Sequence, residues 1–242
     1  MSTEKHKLSH KQAVAIALGD TEAKSAAQTP LQMQRRLLYA ENAKGVLADL
    51  ADAGFVGIEE VGELRSRRVD YRAAVPVLLR WLPRVSYLLL AEDIVRTLSV
   101  SFAKKLAVPE FLQLFREPPS LQDPLRPATS EPPKEHLRWI IGNGLSIFAG
   151  PSLAGELIEL ALDRRFGHAR YQIVSALPKT KDARVADVLM GLLDDPTVRA
   201  AAVDALGKIK FRSARTTIER LLSDPDKNVR DQAKKALKRM ER

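Results

Sequence analysis

The chain has 242 residues, enough for one elongated domain or two small ones with a real core. Cysteine is absent, which excludes disulfides, thiolate nucleophiles, iron–sulfur clusters and cysteine-based zinc sites together. The formal net charge is +9, but its placement is uneven. Up to Leu162 there are 20 Lys+Arg against 19 Asp+Glu, and from Asp163 onward 19 against 11, so the excess sits in the last third. A localised basic surface can steer acidic partners, either nucleic acid or protein, and it can equally be a solvated helical end. Aromatics are only 5%, while Ala and Leu, which lose little rotamer freedom in a helix, are abundant.

Taken in chain order, the first element is the run Lys11–Leu18, which reads as a short helix behind ten mobile residues. Its apolar part, Ala13–Leu18, is too short to span a bilayer and has no convincing cleavage context, so no membrane contact and a cytoplasmic location are expected. Thr29-Pro30 is a helix start, and Leu31–Ala53 can run as a helix that stops at Gly54. Gly57–Arg68 reads as a further helix. Residues 1–69 are expected to cap the apolar end of a stacked array formed by the rest of the chain, because terminal repeats of such arrays are atypical.

From Asp70 the sequence repeats itself. Asp195-Pro196-Thr197-Val198-Arg199 matches Asp224-Pro225-Asp226-Lys227-Asn228-Val229-Arg230, and each is followed by an Ala-rich helix ending at Leu206 or Leu237. An Arg stands seven residues before a Leu four times: Arg138 and Leu145, Arg170 and Leu177, Arg199 and Leu206, Arg230 and Leu237. Leu98 fits a fifth copy, with Ala91 in the Arg position. A period near thirty residues is a helix-turn-helix repeat. The first helices echo one another as well. Ala74-Val75-Pro76 returns as Ala107-Val108-Pro109, with each Pro expected in the first turn, and later copies keep the apolar spacing at Val185, Val188, Leu189 and Leu192, then Ile218, Leu221 and Leu222.

These Asp-Pro turns, Val-Arg pairs and the Ala-Leu-Gly ending resemble the HEAT repeat family, most of all the short bacterial repeats named after phycobilisome lyases. The resemblance covers about Asp70–Arg242 and is clearest in the last two repeats. It implies an all-α fold: a right-handed α-solenoid of HEAT-like helical hairpins over residues 70–242, with the N-terminal helical cap at 1–69. It also implies a docking surface more often than an active site, although some lyases, hydroxylases and glycosylases use such repeats.

Physical reasoning points the same way, since a helix pair with one apolar stripe must stack on neighbours to bury it. Val198, Ala201, Ala202, Ala205, Leu206 and Ile209 form such a stripe. The Pro-rich segment at 117–133 (Pro118, Pro119, Pro124, Pro127, Pro132, Pro133) cannot be one helix and is expected to project as a loop between the two helices of a repeat. It is either an inert insertion or an extended partner-contacting arm.

No catalytic constellation, metal motif or cofactor fingerprint is visible. His6, His10, His136 and His168 form no His-Glu-x-x-His pattern, so no metal and no cofactor are expected, and His136 and His168 read as surface or capping residues. Gly142-Asn143-Gly144 reads as a close-packing site, and Trp81 as core. The ladder Arg138, Arg170, Arg199 and Arg230 is expected to bridge to carboxylates or turn carbonyls of neighbouring repeats, with a phosphate or carboxylate track as the alternative. Opposite the apolar stripe, one residue after each Arg, come Trp139, Tyr171, Ala200 and Asp231, and four further on come Asn143, Ser175, Asp204 and Lys235. Trp139 and Tyr171 are either adjacent exposed anchors on the concave side or tucked under the Pro-rich loop.

The resulting expectation is a non-catalytic binding or scaffold protein that docks an acidic or amphipathic protein partner. The contact set is Trp139, Asn143, Tyr171, Ser175, Lys179, Asp204, Lys208, Lys235 and Arg239. The alternative is a nucleic-acid binder using the basic C-terminal repeats, including Lys210, Arg212, Arg215, Lys234 and Lys238. A HEAT-like DNA glycosylase, faintly suggested by Trp139, Tyr171 and Asp204, carries less weight because no local motif matches.

Overall fold

The structure is a computed structural model and describes residues 29–241. The expected Lys11–Leu18 helix and the mobile first ten residues lie outside the described residues. Helix α1 (Pro30–Asp52) begins where the sequence places it. Thr29 caps it reciprocally, its hydroxyl accepting from Gln32 N at 3.3 Å while Gln32 Oε1 accepts from Thr29 N at 2.8 Å, and Pro30 occupies N1, where a missing N–H costs little. The chain leaves α1 through Gly54 at φ +96°, a conformation that favours glycine.

The helix expected over Gly57–Arg68 shrinks to one turn, α2 (Glu63–Ser66). The reason lies in the side chains. Glu63 Oε1 accepts from the backbone N–H of Glu59 and Glu60 at 2.7 and 3.0 Å, and Arg67 bonds Glu63 and the Gly57 carbonyl, so the segment is stitched as turns. This segment and α1 are held to the body by Asp93, which accepts from the Tyr39 hydroxyl at 2.6 Å and Gly62 N at 2.7 Å, with Arg65 at 2.5 Å. Burial, and then the Asp93 charge, push the Tyr39 phenol well above its ordinary pKa.

Five helix pairs come next: α3 (Ala74–Trp81) with α4 (Leu88–Leu98), α5 (Lys104–Arg116) with α6 (Pro133–Phe148), α7 (Ala154–Leu162) with α8 (Arg170–Ala176), α9 (Val185–Gly191) with α10 (Arg199–Lys208), and α11 (Arg215–Arg220) with α12 (Lys227–Met240). Within each pair the helices touch. The second helices then stack in order, α4 on α6, α6 on α8, α8 on α10 and α10 on α12, and the first helices stack α3 on α5 and α7 on α9. Helix α1 packs on α3 and α4. The fold is an all-α solenoid. Among the described residues there is no strand, only an isolated bridge between Tyr87 and Gln122, and no helix is long and apolar enough to cross a membrane.

The repeating leucines Leu98, Leu145, Leu177, Leu206 and Leu237 are all buried, as is Ala91. Small residues set how closely the second helices approach. A Cβ on Gly144 would stand 2.6 Å from the Phe111 ring, and one on Gly207 would stand 2.6 Å from Ala236 Cα. Helix α10 is sunk so deeply between α8 and α12 that Ala200, expected opposite the core, is buried as well. Pro109 also departs from expectation. Helix α5 starts at Lys104, so Pro109 lies inside it rather than in its first turn.

The Pro-rich segment does connect α5 to α6, but it does not stand away from the body. It runs back to the first pair, where Gln122 N donates to Ser86 O at 2.8 Å and Leu88 N donates to Gln122 O at 3.1 Å. Leu121 packs on the core there.

The arginine ladder ties the pairs together at the start of the second helices. Arg170, 1% exposed, donates to Ala161 O (3.1 Å) of its own first helix and to Asp195 Oδ2 (2.7 Å) of the next pair. Arg199 repeats the geometry one step on, donating to Leu193 O (2.7 Å) and to Asp224 Oδ2 (2.9 Å). Asp195 and Asp224 each also cap their own turn, accepting from Thr197 N at 3.0 Å and from Asp226 N at 2.8 Å. Arg138 donates to Phe115 O (2.7 Å) and pairs with Glu135, while Arg230 donates to Asp224 O and Pro225 O at 2.6 and 2.8 Å. A planar fork suits this bridging of carbonyl and carboxylate.

Two outcomes are expected from this packing. Gly207→Ala should lower the urea midpoint by the equivalent of about 1–3 kcal/mol, because α10 and α12 must separate to admit the methyl group. For Asp195, burial opposes ionisation, but the bonds from Arg170 and Thr197 outweigh it and hold the carboxyl below its ordinary pKa. Its contribution is therefore complete above the unfolded value of about 3.9 and is lost as pH falls through the lower, folded value. Asp195→Asn should cost about 3–5 kcal/mol at pH 7, since it strands a buried guanidinium, and should flatten the fall in urea midpoint between about pH 5 and about pH 3.

Candidate functional site

With the ladder and leucines turned inward, the second helices leave a strip free, which is closed at Ala200 of α10. Three positions on that strip recur from pair to pair. Six residues before the buried leucine stand Glu92, Trp139, Tyr171, Ala200 and Asp231. Two before it stand Arg96, Asn143, Ser175, Asp204 and Lys235, and two after it Ile147, Lys179, Lys208 and Arg239, while the corresponding Val100 lies beyond the end of α4 and packs on the core. Asn143, Lys179, Lys208 and Lys235 are exposed, Trp139, Tyr171, Ser175, Asp204 and Arg239 are half-buried, and Ala200 is buried.

Trp139 and Tyr171 do come together, with ring centroids 6.2 Å apart. The ring that covers Trp139 is His168, stacked on it at 4.6 Å and 5°. His168 also lies 5.8 Å from Tyr171, so the three rings form one cluster across α6 and α8. Sequence reasoning left His168 as a surface or capping residue. The signal that could have found it is Gly167, which at φ +49° turns the chain just before α8 and brings the imidazole back over the previous pair.

The cations are placed unequally. Asp204 accepts from Lys208 at 2.8 Å and Arg239 at 2.7 Å, so these three make one intramolecular group spanning α10 and α12. Burial opposes the Asp204 charge, yet Lys208 and then Arg239 outweigh it and hold the carboxyl below its ordinary pKa. Lys179 Nζ donates to Ser146 O at 2.7 Å, which links the end of α8 to the end of α6 and leaves its remaining N–H groups to solvent. Lys210, Arg212, Lys234 and Lys238 are exposed, and Lys234 and Lys238 sit on the side of α12 turned away from its buried residues Val229, Ala233 and Ala236. The positive charge is therefore not gathered into one groove.

At the other end of the same face, His136 meets Glu92 at 3.3 Å. That bond, followed by those from Arg96, keeps Glu92 below the usual carboxylate range although burial works against it. A cleft of about 440 Å³ at the ladder edge holds Arg116, Lys134, Arg138 and Arg165 against Glu117, Glu135, Glu159 and Asp163, so its charges balance. Among the described residues no group of three or more His, Asp or Glu is placed to hold a metal ion.

Against known proteins, residues 194–242 match the family model described as HEAT repeats. No curated protein matches the chain. The matched span holds α10 and the last helix pair, with the Asp-Pro turns, the Arg199–Asp224 bridge and the Gly207–Ala236 contact, and these residues are HEAT repeats.

Proposed function

We propose that this protein is a non-catalytic docking module that holds a protein partner on the free face of its second helices, with residues 1–69 acting as a cap on the solenoid of residues 70–242. HEAT repeats serve in general as interaction or scaffold modules. The observation that carries the finer reading is the ring cluster Trp139–His168–Tyr171 in the middle of that face. Amphipathic aromatics fixed by mutual packing lose little entropy on binding and are frequent binding anchors. Asn143 and Ser175 flank the rings with groups that can both donate and accept. Trp139 and Tyr171 stand on helices and His168 on the turn that leads into α8, which suits a preformed surface.

A second reading is nucleic-acid binding through the C-terminal basic residues. The group at Asp204 weighs against it, because a carboxylate already engages two of the cations a phosphate track would need. Scattered placement of Lys210, Arg212, Lys234 and Lys238 weighs the same way.

The test is capture from native lysate with nuclease treatment in parallel, followed by the double substitution Trp139→Ala with Tyr171→Ala. Loss of two anchors, at about 1 kcal/mol or more each, should weaken a nuclease-resistant partner at least about thirtyfold while the helical circular dichroism signal stays unchanged. Capture abolished by nuclease, or steep weakening in salt with no response to the aromatic changes, would establish the nucleic-acid reading instead.

A further inference from the structure

Turns of two kinds alternate along the solenoid, and they divide its charge. Those within a helix pair (82–87, 117–132, 163–169, 192–198 and 221–226) lie along one edge. Those that lead into a first helix (67–73, 99–103, 149–153, 177–184 and 209–214) lie along the other. Turns of the second kind meet one another: Tyr71 packs edge-on against Phe102 with centroids 5.0 Å apart, and turn 149–153 touches turn 177–184. The first edge carries four Lys or Arg against eight Asp or Glu, and the second carries eight against two. Part of the acidic edge is structural, since Asp195 and Asp224 answer the ladder. Helix dipoles give no reason for the basic edge. Consecutive helices run antiparallel, so each edge collects N-termini and C-termini equally, and α5 begins on Lys104 and Lys105, where a macrodipole disfavours cations.

Backbone conformation singles out the same edge. Among the described residues, the non-glycine positions of positive φ are Arg68, Lys181 and Lys210, at +55°, +56° and +52°. All three are basic and exposed, and each stands in a turn that leads into a first helix. That region of φ favours glycine and, after it, Asn and Asp, so a basic side chain is held there against local preference. Arg67, Arg72 and Arg184 are paired with nearby acids. Arg68, Lys181, Lys210 and Arg212 are exposed and form no ion pair among the described residues. Beside these cations, Val69, Phe102 and Leu106 are exposed as well.

We infer that this edge rests on an anionic phospholipid surface, with Arg68, Lys181 and Lys210 at the headgroups and Val69, Phe102 and Leu106 at the acyl boundary. The edge is separate from the ring cluster on the second helices, so the inference goes beyond the docking reading and does not depend on it. Contact of this kind needs no spanning segment, and it replaces the expectation of no membrane contact. Apolar side chains among the cations favour lipid over nucleic acid. A phosphate backbone gives Leu106 nothing to enter, whereas a bilayer offers charge and hydrocarbon together. Headgroups diffuse to the cations, so turns separated by whole helix pairs need no fixed register with their ligand. Each Lys or Arg near such a surface raises partitioning about fivefold, within a Debye length of about 10 Å at roughly 0.1 M salt.

The experiment sediments the full chain with phosphatidylcholine vesicles, either pure or containing about 30% phosphatidylserine. The protein should pellet with the anionic vesicles alone, and less as salt rises. Arg68→Gly/Lys181→Gly/Lys210→Gly removes three cations while relaxing three left-handed turns. It should keep its helical circular dichroism signal and partition about a hundredfold more weakly. Leu106→Ser should reduce the binding that survives at about 0.5 M salt, where charge is screened. Equal sedimentation with both vesicles, sedimentation with neither, or an unchanged partition of the triple glycine variant would overturn the inference. So would binding of a thymidine dodecanucleotide that the glycine variant loses while neither vesicle binds, an outcome that assigns the edge to nucleic acid.

Discussion

A helix pair in this chain presents an apolar stripe that it cannot bury by itself, and every other feature depends on that incompleteness. Leu177 or Leu206 is buried only because the next second helix lies against it. Stability is then a sum over neighbours, and the residues that matter most are those controlling how closely neighbours approach. Gly144 and Gly207 do this by lacking a side chain where Phe111 and Ala236 press in. The arginines do it by direction, each fork taking a carbonyl of its own pair with one arm and, at Arg170 and Arg199, a carboxylate of the next pair with the other. A hydrophobic stripe alone tolerates sliding, whereas a buried fork that must find one carboxylate does not, so the ladder fixes the register that the leucines merely favour.

The same constraint sorts the remaining residues. Once one face of a second helix is committed to its neighbours and one edge to the ladder, only a narrow strip is left, and side chains on it repeat at the spacing of the stack. Trp139 and Tyr171 are brought to 6.2 Å by that repetition and not by any local motif. Lys208 and Arg239 converge on Asp204 for the same reason, since equivalent positions on adjacent helices are neighbours in space.

How much of this could be read from the sequence depends on whether the cause was local. The start of α1 was legible because Thr29, Pro30 and Gln32 satisfy one another within a single turn. The helix pairs were legible because the Arg and Leu positions recur, and recurrence needs no knowledge of the partner. The Gly57–Arg68 segment was misread because Glu63 turns back to bond Glu59 and Glu60, a choice that helical periodicity does not reveal. Ala200 was placed outside because a projection onto one helix assumes one buried face, while α10 is enclosed by α8 and α12 together. His168 escaped because its contact belongs to the preceding pair and depends on one positive φ at Gly167. The return of the Pro-rich segment to Ser86 rests on two backbone bonds that carry no side-chain signature.

The surplus of positive charge after Asp163 divides in two by the same geometry. On α12, Val229, Ala233, Ala236, Leu237 and Met240 turn inward, and the opposite side carries Lys227, Lys234 and Lys238. The arginine of this pair, Arg230, keeps its bonds within its own turn. Charges there solvate an outer surface that the interior of a stack never shows. Lys179, Lys208 and Arg239 occupy different ground, a row shared with α6 and α8, where Ile147 stands uncovered. Lys208 and Arg239 close on Asp204 and Lys179 on the Ser146 carbonyl, so this part of the surplus joins one second helix to the next.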